Sequence, residues 1–307
     1  HSLEVASVGR TLGTAIGEYI AQKYKSQLST ESQEFYNYSL YNVISAACLC
    51  HDIGNPAFGH SGEDAIATYF KKNKNTLQNH FSEKEWSDLI NFEGNANAIR
   101  ILTQQQSGKS NGGLLLTYAT LASIAKYSCE SIAKSKKEIH RKKFGFFQSE
   151  QSNFLDIARS TQMLQISSDP IIFQRHPFVW LVEAADDICY NIIDLEDAHR
   201  LGIISHEKCL ELFINFIQSI ASEEIDKVNL RIKSISNKND RIAYLRAKTI
   251  HYLILSCIDQ YIANESKIFS GNMSTSIFDL VKADHSAIQE IEDFTIENIY
   301  NHRSVIE

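Results

Sequence analysis

The residues best suited to chemistry cluster in one short stretch, residues 48–63. His51 and Asp52 end a predicted helix, which is followed by a turn rich in Gly and Pro. A second predicted helix begins near residue 61, with His60 and Glu63 in its first turn. An imidazole and a carboxylate at the end of a rigid helix suit a divalent cation.

The first of these helices has one apolar stripe, and His51 continues it four residues after Ala47. The stripe consists of Leu40, Val43, Ile44, Ala47 and Cys48. A lone buried His is more often a hydrogen-bonded core residue than a ligand. The metal hypothesis therefore depends on finding further ligands elsewhere in the chain.

A second acidic helix is predicted over residues 177–198, and Asp186 falls within its apolar stripe. A buried Asp needs a cation or a hydrogen-bond partner, so a pairing with Arg or Lys stays open beside metal binding. Asp194 follows eight residues later with Tyr190 midway, so the three share one helix face. Two carboxylates that flank a Tyr are more typical of a site wall than of a hydrophobic seam.

Length and composition predict a folded, soluble, cytoplasmic protein. The 307 residues are 43% hydrophobic and 22% charged, and no run approaches a membrane span. No signal peptide is recognisable, and a start at His1 indicates a trimmed chain. The net charge of −7 argues against a general nucleic-acid surface. The six cysteines, at 48, 50, 129, 189, 209 and 257, show no CxxC pairing and are expected to be reduced core residues.

Helical periodicity dominates the chain and predicts an all-α fold. Ser82 and Glu85 form a predicted capping box. The predicted helices include 95–106, 116–127, 151–166, 177–198, 206–223, 238–263 and 275–298. A Ser/Gly/Asn-rich loop is predicted at 104–113, and a basic stretch with aromatics follows at 134–147. That basic stretch is most simply a solvated loop, and a polyanion-binding patch is the alternative.

Taken in order, these motifs resemble the HD-domain superfamily of metal-dependent phosphohydrolases, and within it the deoxyguanosinetriphosphate triphosphohydrolase (dGTPase) family. The matching motifs lie at residues 1–10, 51–63, 92–96, 116–127 and 183–197. They cover residues 1 to about 200, and no motif is recognisable beyond them. We therefore expect an HD phosphohydrolase core over 1–200 and a helical C-terminal extension over 201–307.

The resemblance also assigns roles to individual residues. It implies that His60 and Glu63 act in catalysis and that Tyr190 and Asp194 contact the deoxyribose. The implied metal ligands are His1, His51, Asp52 and Asp186; the other implied nucleotide contacts are Asn95, Lys126, Tyr127 and Lys143. Mn²⁺, Mg²⁺, Co²⁺, Fe²⁺ or Ni²⁺ suits such a mixed N/O ligand set.

By the same resemblance we expect hydrolysis of dNTPs, with dGTP among them, to 2′-deoxynucleoside and tripolyphosphate. The alternatives are another HD phosphohydrolase, such as a nucleotidase or cyclic-nucleotide phosphodiesterase, and a non-catalytic dNTP-sensing module. The resemblance further implies a homo-oligomer, commonly a hexamer, and a dNTP or single-stranded nucleic-acid effector. No membrane partner is expected.

Overall fold

The computed structural model describes residues 1–105 and 112–302, so residues 106–111 of the predicted loop lie outside the described part. Helices joined by short connections dominate these residues, which confirms the predicted all-α class. The described chain forms two compact units. We call them the N-terminal unit (Ser2–Glu183 with Glu265–Ser274) and the C-terminal unit (Ala184–Asn264, the described residues from Thr275 onward, and His1). The expected division near residue 200 follows sequence motifs and stays a prediction.

The N-terminal unit contains ten α-helices and one hairpin in its described residues. The helices are α1 (Ser2–Lys23), α2 (Thr30–Tyr38), α3 (Leu40–Cys50), α4 (Gly59–Lys72), α5 (Lys74–Leu77), α6 (Glu83–Ile90), α7 (Gly94–Thr103), α8 (Tyr118–Ile124), α9 (Gln151–Ser160) and α14 (Glu265–Phe269). The hairpin joins β1 (Gln165–Ser168) to β2 (Ile171–Phe173). Short 3₁₀ helices lie at Gln78–His80, Ser131–Ala133, Ile139–Arg141 and Gln148–Glu150. The chain leaves this unit within α10 (Val179–Arg200).

Helices α1 and α3 form the centre of this unit through their apolar stripes. Leu12 and Ile16 on α1 and Ile44 and Cys48 on α3 are fully buried. Gly9 permits the close approach, because a Cβ atom there would lie 2.4 Å from the Cys48 sulfur. Cys48 therefore packs in the core as predicted. This packing against α1 fixes the position of the C-terminal end of α3.

The turn between α3 and α4 is held against the start of α7. A Cβ atom on Gly54 would lie 2.0 Å from the carbonyl oxygen of Gly94 and 2.3 Å from the backbone nitrogen of Ala98. The Asn97 amide also donates to the Gly54 carbonyl oxygen at 2.8 Å. Only glycine fits at this contact, so the turn and α7 have one relative position.

We expect the Gly54→Ala variant to lose about 3 kcal/mol of unfolding free energy, the upper end of typical overpacking costs. The added methyl meets backbone atoms, which cannot move aside as a side chain could. Gly59→Ala is the matched control, because its Cβ meets nothing within 4 Å and only its φ of +54° is strained. That strain costs about 1 kcal/mol. Urea unfolding measures both variants. Equal losses of unfolding free energy would contradict the account, because the close contact at Gly54 would then add no cost beyond backbone strain.

The predicted helix over 151–166 is wrong beyond residue 160. Helix α9 ends at Ser160, Gln162 has a φ of +53°, and β1 begins at Gln165. A residue in the left-handed conformation cannot continue a right-handed helix. The chain after it forms β1, which pairs antiparallel with the apolar strand β2 as a hairpin. Helix α8 is likewise shorter than the predicted 116–127, since the backbone leaves helical geometry at Ala125.

The aromatic residues that follow the basic stretch pack in the interior. Phe144 and Phe146 are fully buried, and Phe147 is 9% exposed. Phe146 stacks on Phe154 of α9 with ring centroids 4.3 Å apart. The alternative of a surface patch built from lysines and these aromatics is therefore wrong in its aromatic part, because burying three Phe rings is strongly favourable.

The C-terminal unit contains the remainder of α10 and five further α-helices in its described residues. These are α11 (His206–Ile220), α12 (Ile225–Ser234), α13 (Lys238–Ala263), α15 (Ile277–Asp284) and α16 (Ser286–Thr295). A 3₁₀ helix lies at Ser222–Glu224 and a π-helical turn at Ile296–Tyr300. The single helix predicted over 275–298 is wrong, because His285 adopts extended geometry and separates α15 from α16.

Two further sequence expectations have structural counterparts. Five of the six cysteines are buried and Cys50 is half-buried, which confirms their packing role. Ser82 and Glu85 form the predicted capping box at the start of α6. Across residues 1–105 and 112–302, no helix combines the length and apolarity needed to span a bilayer.

Candidate active site

The end of α3 presents His51 and Asp52 as a pair in the N-terminal unit. The His51 Nδ1 atom lies 2.7 Å from the Cys48 carbonyl oxygen, which places its proton on Nδ1 and a lone pair on Nε2. That Nε2 atom lies 3.1 Å from Asp52 Oδ2. The Asn55 amide donates to the other Asp52 oxygen at 2.9 Å and fixes the carboxylate plane.

A second imidazole–carboxylate pair lies in the C-terminal unit. His1 Nε2 is 3.2 Å from Asp186 Oδ1. The Asp186 side chain is 30% exposed, so it is less buried than its place in the sequence stripe predicts. Because the two residues are 185 positions apart, only the tertiary fold brings them together.

The geometry of each pair fits the donor set of a divalent cation. Two ligand atoms that bind one cation at about 2.1 Å, with an angle of about 90° at the cation, lie about 3 Å from each other. The nitrogen–oxygen distances of 3.1 and 3.2 Å in the two pairs match this spacing. A lone-pair nitrogen beside a carboxylate oxygen also needs a proton or a cation to offset their repulsion. The residues present therefore suit a metal with mixed N/O ligands.

The first turn of α4 carries the second predicted pair. His60 Nδ1 lies 2.7 Å from Glu63 Oε2, three residues later on the same helix face. The His60 side chain is 83% exposed, whereas the Glu63 side chain is only 10% exposed. A buried carboxylate thus orients an accessible imidazole, whose Nε2 atom is presented for proton transfer.

The Glu63 carboxylate is held from several sides. Its Oε1 atom accepts the backbone N–H of Gly94 at 2.6 Å, and Lys143 Nζ lies 3.7 Å from Oε2. Burial works to raise the pKa of Glu63, but the bonds from His60 and Gly94 and the charge of Lys143 hold it below its usual value. Glu63 is therefore ionised at neutral pH and keeps a proton on the facing nitrogen of His60.

The predicted nucleotide contacts of this unit have well-defined partners of their own. Asn95 donates to Glu93 at 2.7 Å, and Lys126 Nζ lies 3.1 Å from Glu183. Tyr127 is only 9% exposed, so most of its ring faces the interior. Their roles toward a nucleotide stay predictions.

In the C-terminal unit, the predicted sugar contacts lie together. The sequence places Tyr190 on the apolar stripe of α10, and this prediction is wrong, because Tyr190 is 51% exposed. Its neighbour Cys189 is fully buried. The Tyr300 hydroxyl donates to Asp194 Oδ2 at 2.5 Å, and the Tyr190 and Tyr300 rings lie 5.8 Å apart. Burial raises the pKa of Asp194, although this hydrogen bond opposes the effect.

Sequence reasoning missed three residues in these arrangements: Glu93, Tyr300 and Arg175, which donates to the Glu183 carboxylate beside Lys126 at 2.7 Å. Glu93 and Arg175 are buried charges, at 4% and 5% exposure. Glu93 lies inside a motif that carries the resemblance, so its acidic type beside Phe92 was an available signal. Tyr300 has no signal in the sequence, because its contact with Asp194 spans 106 positions.

Comparison with known proteins places the first part of the chain in a family. Residues 1–127 match the HD domain family, and that range includes His51, Asp52, His60 and Glu63. It also includes the Gly54 turn that fixes α3 and α4 against α7. The match therefore covers both the candidate metal pair of α3 and the proton-transfer pair of α4.

Similar proteins are found over almost the whole chain. A deoxyguanosinetriphosphate triphosphohydrolase-like protein of Synechocystis sp. is 36% identical over 314 residues, covering 100% of this chain and 68% of the relative. One from Pseudomonas aeruginosa is 34% identical over 275 residues, covering 89% and 59%. A deoxyguanosinetriphosphate triphosphohydrolase of Salmonella typhimurium is 28% identical over 350 residues, covering 99% and 65%. The chain thus spans about three fifths to two thirds of these relatives.

These matches support a phosphohydrolase role for this protein. They extend well beyond the HD domain, through the acidic helix α10 and into the C-terminal unit. The chain therefore belongs to the HD-domain superfamily, and within it to the deoxyguanosinetriphosphate triphosphohydrolase family.

Proposed function

We propose that this protein hydrolyses dNTPs, with dGTP among its substrates, to 2′-deoxynucleoside and tripolyphosphate. The observation that carries the proposal is the pair formed by exposed His60 and buried Glu63 on α4. A buried carboxylate that orients an exposed imidazole is the arrangement that general acid–base catalysis requires. Family membership supports phosphate-ester hydrolysis as the reaction it serves.

We propose His1, His51, Asp52 and Asp186 as the metal ligands. Two imidazoles and two carboxylates suit Mn²⁺, Fe²⁺, Co²⁺, Ni²⁺ or Mg²⁺. A divalent cation supplies two things when bound, polarisation of the α-phosphate and a lower pKa for a water ligand. The chain contributes the orientation of the donors, through the Cys48 carbonyl for His51 and the Asn55 amide for Asp52.

His60 is the residue that moves a proton. Its Nδ1–H is held by Glu63, so Nε2 accepts a proton from water or donates one to the leaving 5′-oxygen. Glu63 stays ionised and stabilises the imidazolium that forms in either direction. Attack at the α-phosphorus breaks the bond to the 5′-oxygen and leaves the three phosphates joined.

The remaining predicted residues would bind the nucleotide. Tyr190 would pack on the deoxyribose, where a 2′-hydroxyl would crowd it, and Asp194 would accept the 3′-hydroxyl. Lys126 and Lys143 would offset phosphate charge, and Asn95 and Tyr127 would complete the contacts.

Assembly, regulation and location follow from the family resemblance as further proposals. We expect a homo-oligomer, with a hexamer as the family's common form, and a dNTP or single-stranded nucleic-acid effector. The six cysteines are free thiols and five of them are buried, which supports a cytoplasmic location.

The test is product identification by ion chromatography. Metal-stripped protein is incubated with each dNTP and with Mn²⁺, Mg²⁺ or Co²⁺ in turn. Tripolyphosphate with an equal amount of deoxynucleoside is the expected result. Orthophosphate, pyrophosphate or a nucleoside monophosphate would contradict it and indicate another HD reaction, and dNTP binding without any product would indicate a sensor.

A further inference from the structure

The buried carboxylate of Glu93 lies directly before α7 and beside the proton-transfer pair. Its side chain is 5% exposed. It accepts hydrogen bonds from the Asn95 amide at 2.7 Å and from Lys143 Nζ at 3.1 Å. A charged group at this depth is costly unless it is paired, and Lys143 supplies the pairing charge.

Lys143 has a second carboxylate within reach. Its Nζ atom lies 3.7 Å from Glu63 Oε2, the same oxygen that His60 Nδ1 contacts at 2.7 Å. An ammonium and an imidazole N–H therefore approach the same oxygen, and an ammonium in direct contact would draw the carboxylate charge away from the imidazole. In the structure the imidazole has the short contact, and the ammonium lies closer to Glu93.

We propose that Glu93 is a positioning residue, which holds Lys143 back from Glu63 Oε2 and so reserves that oxygen for His60. This inference rests on the proposed function. The physical reason is that a lysine with two anionic neighbours divides its attraction between them. Without the charge of Glu93, the flexible Lys143 stem would swing its ammonium onto Glu63, and His60 would lose its orienting partner.

The backbone supports the same arrangement. Gly94, the residue after Glu93, donates its N–H to Glu63 Oε1 at 2.6 Å. A Cβ atom on Gly94 would lie 3.0 Å from that oxygen, so the start of α7 fits closely against Glu63. Glu63 therefore cannot retreat from an approaching ammonium, and the position of Lys143 decides which donor holds Oε2.

The test is a pair of substitutions, Glu93→Gln alone and together with Lys143→Met. Gln keeps the shape and the acceptor oxygen for Asn95 but removes the charge. We expect E93Q to lower kcat at least tenfold with KM changed less than threefold. We expect the double variant E93Q/K143M to recover at least threefold in kcat over E93Q, with KM raised, because the competing ammonium is gone.

A second readout needs no turnover. The carboxyl signal of Glu63, observed by NMR with ¹³C-labelled glutamate and assigned with Glu63→Gln, reports its titration midpoint. We expect the midpoint to fall by about one pH unit in E93Q, as an ammonium moves into contact, and to rise again in E93Q/K143M. If wild-type protein forms no tripolyphosphate, the proposed function fails, while this titration still decides the role of Glu93.

Two further variants separate positioning from stability. Glu150→Gln is the matched control, because Glu150 is equally buried and pairs with Arg100 at 2.9 Å. It is expected to lose stability without a change in the Glu63 midpoint. Glu93→Asp keeps the charge at a shorter reach and should lower kcat and the midpoint by less than E93Q, so it carries the test if E93Q does not fold.

Three results would overturn the proposal. They are an unchanged Glu63 midpoint in E93Q and E93D, a double variant no faster than E93Q, and an equal midpoint change in E150Q.

Discussion

The Arg175→Met variant is expected to lose about 3–5 kcal/mol of unfolding free energy, because it breaks a buried ion pair from one side. Arg175 Nη1 donates to Glu183 Oε2 at 2.7 Å, and the two side chains are 2% and 7% exposed. Burial works to raise the pKa of Glu183, but the charges of Arg175 and Lys126 hold it below its usual value. Removal of the guanidinium leaves an ionised carboxylate inside, with Lys126 as its remaining ion-pair partner among residues 1–105 and 112–302.

The guanidinium also joins several segments of the N-terminal unit. It donates to the carbonyl oxygen of Lys126 at 2.8 Å and lies over the Trp180 ring at 4.6 Å. Met fills a similar volume but makes none of these polar contacts. The loss should therefore exceed that of an ordinary surface substitution.

Urea unfolding followed by circular dichroism measures the effect. Arg159→Met is the control, since Arg159 is 74% exposed and its nearest carboxylate is 3.8 Å away. It should change stability by less than about 0.5 kcal/mol. An R175M variant within 1 kcal/mol of the wild type would mean that Glu183 has enough stabilisation without the guanidinium.

The His60→Gln variant is expected to lower kcat by about 10²–10⁴-fold, the usual worth of a general acid or base. Folding and metal content should not change, because the His60 side chain is 83% exposed and its main contact is Glu63. Turnover of dGTP, metal content and thermal unfolding are measured on the same preparation.

Substitutions of two other histidines, His80 and His51, serve as controls for the His60→Gln variant. His80→Gln should leave turnover unchanged, because His80 is an exposed residue of the 3₁₀ helix Gln78–His80. His51→Ala should remove bound metal and turnover together. If H60Q also loses the metal, His60 is not a separate proton-transfer residue and the two pairs have one role.

Local sequence patterns predicted the parts of the site that are close along the chain. The spacing of His60 and Glu63 places them on one face of α4, and His51 and Asp52 follow directly from the end of α3. Helical periodicity and capping residues are properties of a few turns, so they can be read without the tertiary fold. The all-α class follows from the same periodicity.

Contacts between distant segments could not be predicted in this way. Lys143 meets Glu93 across 50 positions, and Tyr300 meets Asp194 across 106. Such pairs are chosen by packing, and a polar residue in a loop gives no sign of its partner. The hairpin after α9 was missed for a related reason, because a left-handed Gln162 is a local choice that helical periodicity does not report.

Hydrolysis of dGTP in water enriched in ¹⁸O tests the central claim most directly. Attack at the α-phosphorus places one ¹⁸O atom in the tripolyphosphate and none in the deoxyguanosine, and mass spectrometry of both products measures this. Label in the deoxyguanosine would mean attack at carbon, and labelled orthophosphate or pyrophosphate would mean attack at another phosphorus. Either result would contradict the role proposed for His60 and Glu63.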